Sequence, residues 1–575
     1  MKIPTGRRRV VAAVAAVTAV LLPSAVARAA EPPVPIQLLA INDFHGNLEP
    51  PAGGTGMVTT RGAGGKPVEV PAGGAAYLAT HLKRARKQHS LTVSAGDNIG
   101  ASPLLSAAYH DEPTIESLGL MGLRVSTVGN HEFDEGLMEL KRMQEGGCHP
   151  QDGCAQAGRP FRGASFPYLA ANVIETATGK PIFPPYVVRT AAPGVKIGFL
   201  GMTLKETPAD LEPASAAGLR FLDEVSTARK YVPELRREGV EAIVLLLHQG
   251  GKAASQIYDY DCDAGGPGSG LSGPIVGLAE RLDPEIDLIV AGHTNQSHVC
   301  TIPDPGGARR LVTSTSSFTK MFTDITLPYD RQTGDFVRSG IRARNVIVTR
   351  DVPEDPGQAA LIARWGKLIA PVANKVVGYI AGELRGRGSE ALEKPLGKVI
   401  ADAQLAAGKS QGARVAFVTP GAIRSDLVYE NGGAVTYARV FAVQPFSTPM
   451  TTLDLTGAQI VTLLRQQFIN QSRDMVLQVS EGFTYTVDTT KSGGDQVVAS
   501  SIRLDGEPLE PGRTYRVTAN DYVASGGDNF TVMREGENRV SNGTDTEALA
   551  DYLQVRGPAD DPVTEPADRI TFRAP

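Results

Sequence analysis

Side chains that can bind metals follow five apolar segments of the chain, residues 36–41, 91–94, 125–128, 242–247 and 287–291. Short apolar runs that end at glycine and polar residues are typical of buried strands followed by loops. The side chains in question are Asp43, His45, Asp97, Asn130, His248, His293 and Asn295. Because strands of an α/β sheet direct their carboxyl ends to one crevice, we predict that these side chains converge there.

The types and spacing of these residues indicate a pair of metal ions. Asp43 and His45 are two residues apart in an extended segment, so their side chains point the same way. The single carboxylate of Asp97 has two oxygens and is the natural bridge between two ions. Nitrogen and oxygen ligands together suit Zn, Mn, Co or Fe better than Ca or Mg. We therefore predict two divalent cations of that group.

Two such ions favour phosphoryl transfer, because they polarise the phosphoryl group and generate a hydroxide that attacks phosphorus. His131 follows Asn130 and is predicted to stabilise the phosphoryl oxygens or to protonate the leaving group. Asp134 is predicted to orient that imidazole. Each motif alone is a weak signal, but five in order, each after an apolar run, make chance occurrence improbable.

Strand-like and helix-like runs alternate over residues 34–345, which predicts a layered α/β domain. Segments 50–71 and 261–273 are rich in glycine and are predicted to be loops. Helical spacing over 353–379 predicts a connector helix and hinge, although an ordinary core helix would show the same periodicity. A second α/β unit is predicted over 380–575, with helices at 395–407 and 456–468 and strands at 483–487, 497–504 and 515–519.

The N-terminus has the pattern of a signal peptide over residues 1–29, with basic residues, an apolar run and a small-x-small cleavage site. We expect export to the periplasm or the extracellular space, and we expect release without a membrane anchor. The net charge of -5 argues against a nucleic-acid partner.

Four cysteines in an exported chain predict two disulfides, and we favour the pairs Cys148–Cys154 and Cys262–Cys300. Zinc binding by Cys148, His149 and Cys154 is the alternative. His81, His89, His110 and His149 lack the strand-end context and are interpreted as surface or structural histidines. His298 remains ambiguous because it is close to the segment 292–295.

These motifs together carry a resemblance to a known family. They are Asn42-Asp43-Phe44-His45-Gly46, Gly96-Asp97-Asn98, Gly129-Asn130-His131-Glu132, His248 and Gly292-His293. The chain resembles the secreted 5′-nucleotidases, which join a calcineurin-like metallophosphoesterase domain to a C-terminal substrate-binding domain. The resemblance implies a four-layer α/β/β/α sandwich for the first domain.

Parts of the second half resemble the segments with which that family binds its substrate. By this match Arg424 contacts the substrate, Phe446 and Tyr522 stack on the two faces of the base, and Asp528 contacts the nucleoside. Three departures stand out. Asn295 replaces the usual His or Gln, Thr419-Pro420 replaces Asn-Gly, and an arginine expected before the segment 396–403 is absent, with Arg385 or Arg387 as substitutes.

The predicted function is removal of phosphate from nucleoside 5′-monophosphates. The departures leave open a 2′,3′-cyclic-nucleotide phosphodiesterase or a nucleotide-sugar pyrophosphatase on the same frame. A non-catalytic nucleotide-binding surface protein is the alternative of another class. The sequence leaves the native metals, the base preference and the oligomeric state open.

Overall fold

Two β-sheets lie face to face in the first half of the chain, in a computed structural model that describes residues 1–2, 31–156, 158–211, 214–469, 471 and 475–574. The predicted signal peptide falls almost entirely outside these residues. Residues 33–575 form one compact unit. In the part of the chain that the structure describes, none of the helices is long and apolar enough to cross a membrane.

The first sheet has seven strands and the second has six. In spatial order the first sheet contains Asp335–Phe336, Met321–Asp330, Val34–Ile41, Ser90–Ser94, Leu123–Thr127 and Tyr168–Leu169, with Arg342–Ile347 also paired to Met321–Asp330. The second contains His298–Thr301, Leu311–Ser314, Leu288–Ala291, Ile243–His248, Val195–Thr203 and Tyr186–Ala192. The strands that precede the metal-ligating motifs run parallel to one another within each sheet, so their carboxyl ends share one edge.

Apolar side chains fill the space between the two sheets and cover both outer faces. Leu38 and Val93 of the first sheet belong to one core cluster with Phe199 and Val244 of the second. The surrounding helices are Ala75–Ala85, Leu104–Ala107, Glu112–Met121, Gly136–Glu145, Glu224–Arg237, Pro274–Ala279 and Pro356–Ala373. One further cluster joins helices to the first sheet and another joins helices to the second. This arrangement confirms the predicted four-layer α/β/β/α sandwich.

Short strands in the first half form three small additional sheets. They comprise Val173–Glu175 with Lys180–Pro181 and Leu219–Phe221, Lys252–Ala253 with Leu271–Ser272, and Met57–Arg61 with Pro67–Pro71. The last pair corrects the prediction of a loop over 50–71. Val58 packs with Ala72 and Met321, and this burial stabilises a hairpin despite the surrounding glycines.

The second half contains a five-stranded and a four-stranded sheet. The first, in spatial order, is Gln478–Val479, Val415–Val418, Thr514–Asn520, Pro449–Thr456 and Glu537–Thr544. The second is Glu507–Pro508, Arg503–Leu504, Phe483–Asp488 and Ile570–Arg573. The helices are Pro395–Gly408, Tyr437–Val443, Gly457–Gln466, Asp521–Ala524 and Asp545–Arg556. The strand predicted over 497–504 is wrong in part, because Ala499–Ser501 forms a 3₁₀ turn before a two-residue strand.

The helix predicted within 353–379 ends earlier than expected. It covers Pro356–Ala373, and Val376–Tyr379 is a strand that pairs with Ala434–Thr436. Two adjacent valines followed by glycine favour an extended chain over a helix. Leu361 and Trp365 belong to the core beside the first sheet, so the helix packs as part of the first half. The domain boundaries and the hinge remain predictions.

Candidate metal centre and active site

Loops at the carboxyl ends of both large sheets bring the predicted ligands together. Val34–Ile41 and Ser90–Ser94 are parallel neighbours, with Ile41 opposite Ser94, so Asp43 and Asp97 emerge side by side. The backbone N–H groups of Asp43 and His45 donate to the carbonyls of Gly96 and Asp97, each over 3.0 Å. The two loops are therefore fixed to each other.

Asp97 lies at the centre of the ligand group. Its Oδ2 is 3.1 Å from Nε2 of His248 and 3.5 Å from Nε2 of His45. Asp43 lies on the same side of the site, with its Oδ1 3.9 Å from Nε2 of His45. Asp97 belongs both to a cluster with His45 and His131 and to a cluster with His248 and His293. A carboxylate shared by two such clusters has the position expected of a bridge.

Asn130 completes the second cluster. Its Oδ1 lies 3.2 Å from Nε2 of His248 and 3.1 Å from Nδ1 of His293. Asn295 follows two residues after His293, and its Nδ2 donates to the His293 carbonyl over 3.2 Å. That bond leaves the amide oxygen of Asn295 as the group that can bind a cation.

Five of the predicted ligand residues have left-handed backbone conformations, which corrects the extended segment predicted for Asp43 and His45. The φ angles are 50° for Asp43, 47° for His45, 50° for Asp97, 75° for His293 and 59° for Asn295. Residues other than glycine adopt this region at a cost of about 1–3 kcal/mol each, and such residues cluster at functional sites. The surrounding fold therefore holds these side chains in place against their own backbone preference.

The buried donor atoms fit a cation. Asp43, His45, Asp97 and His248 are at most 1% exposed. Nε2 of His45 and Oδ1 of Asn295 are buried without a hydrogen-bond partner among the described residues. A buried polar atom without a partner is costly, and metal ligation satisfies both atoms.

The charges of the site compensate one another. Burial raises the pKa of Asp43 to about 6. Burial acts in the same direction on Asp97, but the neighbouring His248 and His131 outweigh it and hold the pKa of Asp97 well below its usual range. Burial would lower the pKa of His248, yet Asp97 raises it to about 10. The site thus favours the anionic form of Asp97, whereas burial disfavours the anionic form of Asp43, and the positive charge of divalent cations would offset that cost.

His131 and Asp134 form a hydrogen-bonded pair at the edge of the ligand group. Nδ1 of His131 lies 2.9 Å from Oδ2 of Asp134, which also accepts from the backbone N–H of Ala101 over 3.1 Å. The backbone N–H of His131 donates to Oδ1 of Asp97 over 2.9 Å. Burial lowers the pKa of His131, but Asp134 and Asp97 outweigh burial and raise it overall.

Two further residues of the motifs position the ligands: Glu132, for which the sequence already suggested a supporting role, and Asn42, for which it suggested none. The carboxylate of Glu132 accepts from the backbone N–H groups of Gly129, Asp97 and Asn98 over 2.5, 2.9 and 2.8 Å. Asn42 donates to Oδ2 of Asp43 over 2.6 Å and accepts from the backbone N–H of Thr315 over 2.8 Å. Both residues lie within ligand motifs, and only their long-range partners distinguish them from loop residues.

The residues predicted to bind substrate border the same cavity of about 1000 Å³ as His131 and the metal ligands. The guanidinium of Arg424 lies 5.8 Å from the centre of the Phe446 ring. The hydroxyl of Tyr522 is 3.0 Å from Oδ1 of Asp528 and donates to the Ala209 carbonyl over 3.2 Å. The structure therefore brings all four residues to one cavity, while their roles remain predictions.

The remaining sequence predictions have simple outcomes. Both predicted disulfides, Cys148–Cys154 and Cys262–Cys300, are present, so the cysteines are not zinc ligands. His298 is fully buried on its strand, where burial lowers its pKa to about 4, and this environment is structural. Of the two candidate arginines, Arg385 pairs with Glu383, whereas Arg387 lies 5.9 Å from the Phe318 ring, which contacts His45.

Known proteins share this architecture. Residues 376–535 match the family described as 5′-nucleotidase, C-terminal domain. A cell wall protein of Listeria monocytogenes is 34% identical over 92% of the chain and 68% of its own length. Endonuclease YhcR of Bacillus subtilis is 30% identical over 91% of the chain, which spans only 40% of that relative. The crystal structure of a 5′-nucleotidase precursor from Thermus thermophilus superimposes with a TM-score of 0.74 at 25% identity, over 94% of this chain and 99% of that one.

Proposed function

Because the chain belongs to the 5′-nucleotidase family, we propose that it releases phosphate from nucleoside 5′-monophosphates with the aid of two divalent metal ions. The observation that carries the proposal is a shared cavity. His45, Asp97 and Asn130 border it together with His131, and so do Arg424, Phe446 and Tyr522. The proposed dimetal ligands and the residues proposed to bind the nucleoside therefore border the same space.

We assign Asp43, His45 and Asp97 to one ion and Asp97, Asn130, His248 and His293 to the other, with Asn295 as an additional ligand. When bound, the two ions supply activation of the attacking water and neutralisation of phosphoryl charge. Zn, Mn, Co or Fe suit this mixture of imidazole, carboxylate and amide ligands.

The protein's own groups position the substrate and stabilise developing charge. The contact with Asp134 holds the imidazole of His131 through Nδ1, which leaves the other nitrogen for a phosphoryl oxygen or the leaving group. Arg424 adds positive charge beside the Phe446 ring. Phe446 and Tyr522, which border the cavity, are proposed to stack on the base, and stacking accepts any base.

A phosphodiester substrate is the second candidate, and one observation favours it. Glu390 and Thr419 border the cavity. Thr419 stands where the family pattern has asparagine, and Glu390 lies in the stretch where that pattern has arginine. A carboxylate near the phosphate disfavours the doubly charged monoester more than a singly charged diester. A cyclic nucleotide or a nucleotide sugar is therefore the comparison substrate.

The test measures phosphate release from AMP by the metal-stripped protein after addition of Mn, Zn, Co or Mg. His131→Ala is assayed in parallel, with 2′,3′-cyclic AMP and a nucleotide sugar as comparison substrates. We expect metal-dependent release from AMP that the substitution abolishes. Hydrolysis of the comparison substrates alone would keep the metal chemistry and replace the monoester assignment. Absence of hydrolysis with every metal would favour a nucleotide-binding protein.

We also propose that the protein acts outside the cytoplasm. Two disulfides are stable in oxidising compartments, and the sequence of residues 1–29 predicts a signal peptide. Fractionation of the producing cells tests this proposal. Recovery of the intact chain, residues 1–29 included, in the cytosol would contradict it.

A further inference from the structure

Two histidines without strand-end motifs contact each other beside the cavity, and one of them, His110, borders it. His110 precedes the helix Glu112–Met121, and His149 lies in the loop closed by the Cys148–Cys154 disulfide. Their imidazole rings stack with centroids 3.8 Å apart and an interplanar angle of 13°. Their side chains are only 20% and 14% exposed. Packing of distant segments, and not local sequence, creates this pair.

Carboxylates surround the two rings. Oε2 of Glu135 lies 2.6 Å from Nδ1 of His110, and Oε2 of Glu139 lies 4.0 Å from Nε2 of His149. One ligand atom from each of His110, Glu135 and His149 falls within 4.8 Å of the others. Two nitrogens and one carboxylate oxygen within this distance, with a second carboxylate beside them, match the number and type of donors that a four-coordinate ion requires.

Asp152 contacts the remaining nitrogens of both rings. Its Oδ2 lies 2.9 Å from Nε2 of His110 and 3.5 Å from Nδ1 of His149. Histidines that bind metal usually donate their second ring N–H to a carboxylate, which fixes the orientation of the ring. The backbone N–H of Asp152 donates to Nδ1 of His149 over 3.1 Å. Metal binding through Nε2 would therefore require Nδ1 to carry the ring proton and to donate it to the carboxylate of Asp152 instead.

We propose that His110, Glu135 and His149, with Glu139 as a fourth donor, bind a divalent transition-metal ion, most readily Zn²⁺. The site is separate from the dimetal centre. Imidazole and carboxylate donors favour Zn²⁺ over Ca²⁺ or Mg²⁺. The donors come close enough to share one ion, since one ligand atom from each of His110, Glu135 and His149 lies within 4.8 Å of the others.

The ion would join three segments of the first half of the chain. These segments are the turn before Glu112, the start of the helix Gly136–Glu145 and the disulfide loop. Glu135 directly follows Asp134, the partner of His131. The proposed ion therefore acts as a structural clamp on the segment that carries the His131–Asp134 pair.

The test counts metal ions in a protein whose dimetal centre is disabled. Asp97→Asn/His248→Asn is stripped, incubated with Zn²⁺ and desalted, and bound zinc is measured by plasma mass spectrometry. We expect about one equivalent per chain, lost when His149→Asn is added, and a rise in the thermal midpoint with Zn²⁺ that disappears with it. Glu135→Gln, at a half-exposed position, is the second variant and should weaken binding at least about tenfold. Circular dichroism verifies that each variant is folded.

His89→Asn in the same background is the matched control. His89 lies outside the cluster, so its substitution should leave the one equivalent of zinc bound. The absence of bound zinc from Asp97→Asn/His248→Asn would overturn the proposal. So would zinc that survives both His149→Asn and Glu135→Gln, or zinc that His89→Asn removes. Since the readout is metal content and not activity, failure of this proposal is distinguishable from failure of the proposed nucleotidase function.

Discussion

The imidazole of His131 stacks on the phenyl ring of Phe446, with centroids 5.7 Å apart and an interplanar angle of 21°. His131 belongs to the loop beside the metal ligands, and Phe446 belongs to the second half of the chain. The contact therefore joins the loop beside the predicted metal ligands to a residue predicted to stack on the base. Under the proposed function, the base would therefore stack beside the imidazole that acts on the 5′ phosphate.

Phe446→Leu should lower kcat/KM for AMP by about tenfold or more, because stacking on an aromatic ring contributes about 1–3 kcal/mol per base. Leucine keeps an apolar side chain but offers no flat face to the base, so we expect the loss mainly in KM. Steady-state kinetics at saturating metal measures both constants. Phe441→Leu, which alters a ring beside Tyr437, is the control. An unchanged KM in Phe446→Leu would exclude base stacking at this residue.

Asp134→Asn should lower kcat by about ten- to a hundredfold, which is part of the contribution of general acid–base catalysis. Asparagine retains an oxygen for the Ala101 N–H but removes the negative charge that stabilises protonated His131. Metal content and KM should stay near those of the original protein, because Asp134 is not among the proposed ligands. A variant that loses metal together with kcat would show that Asp134 acts through the metal centre instead.

Local pattern predicted the metal ligands because each follows a short apolar run directly. The prediction that Asp43 and His248 lie at one edge needed only the rule that parallel strands end at a common edge. The strands of both sheets follow this rule. The left-handed φ angles of Asp43, His45 and Asp97 were not predictable from sequence, since the surrounding fold determines where such costly conformations occur. The same applies to the long-range bonds of Glu132 and Asn42.

Tertiary packing decided the features that the sequence failed to predict. The hairpin Met57–Arg61 with Pro67–Pro71 depends on burial of Val58 against Met321, which no local signal shows. The end of the helix Pro356–Ala373 has a weak local signal in Val376 and Val377, and the pairing of Val376–Tyr379 with a strand far along the chain reinforces it. The stacking of His110 on His149 likewise joins loops whose sequences are individually unremarkable.

Glu132→Gln should weaken metal affinity by about 10–100-fold, the usual effect of removing a group that orients ligands. Its carboxylate accepts from three backbone N–H groups around Asp97, and an amide offers only one oxygen. Titration of the stripped protein with Mn or Zn, followed through activity and calorimetry, measures the change. Glu145→Gln, at an exposed helix end, is the control. Equal affinity in both variants would mean that the loop is fixed without Glu132.

Asp545→Asn should stabilise the protein above about pH 7 and have little effect near pH 4. Asp545 is buried, and burial raises its pKa to about 7 despite the hydrogen bond that the Asn520 side chain donates to its carboxylate. A carboxyl whose pKa is higher in the folded than in the unfolded state favours folding when protonated. Its contribution is therefore complete below about pH 4 and decreases by at most about 1.4 kcal/mol per pH unit as the pH rises to about 7.

Urea denaturation between pH 4 and 8 measures this effect as the difference in unfolding free energy between the original protein and Asp545→Asn. The difference should grow with pH and level off above about pH 7, because the asparagine side chain does not ionise in this range. Asp551→Asn, on the exposed side of the same helix, is the control and should show no such slope. A difference that is constant from pH 4 to 8 would mean that Asp545 keeps the same protonation state in the folded and unfolded chain.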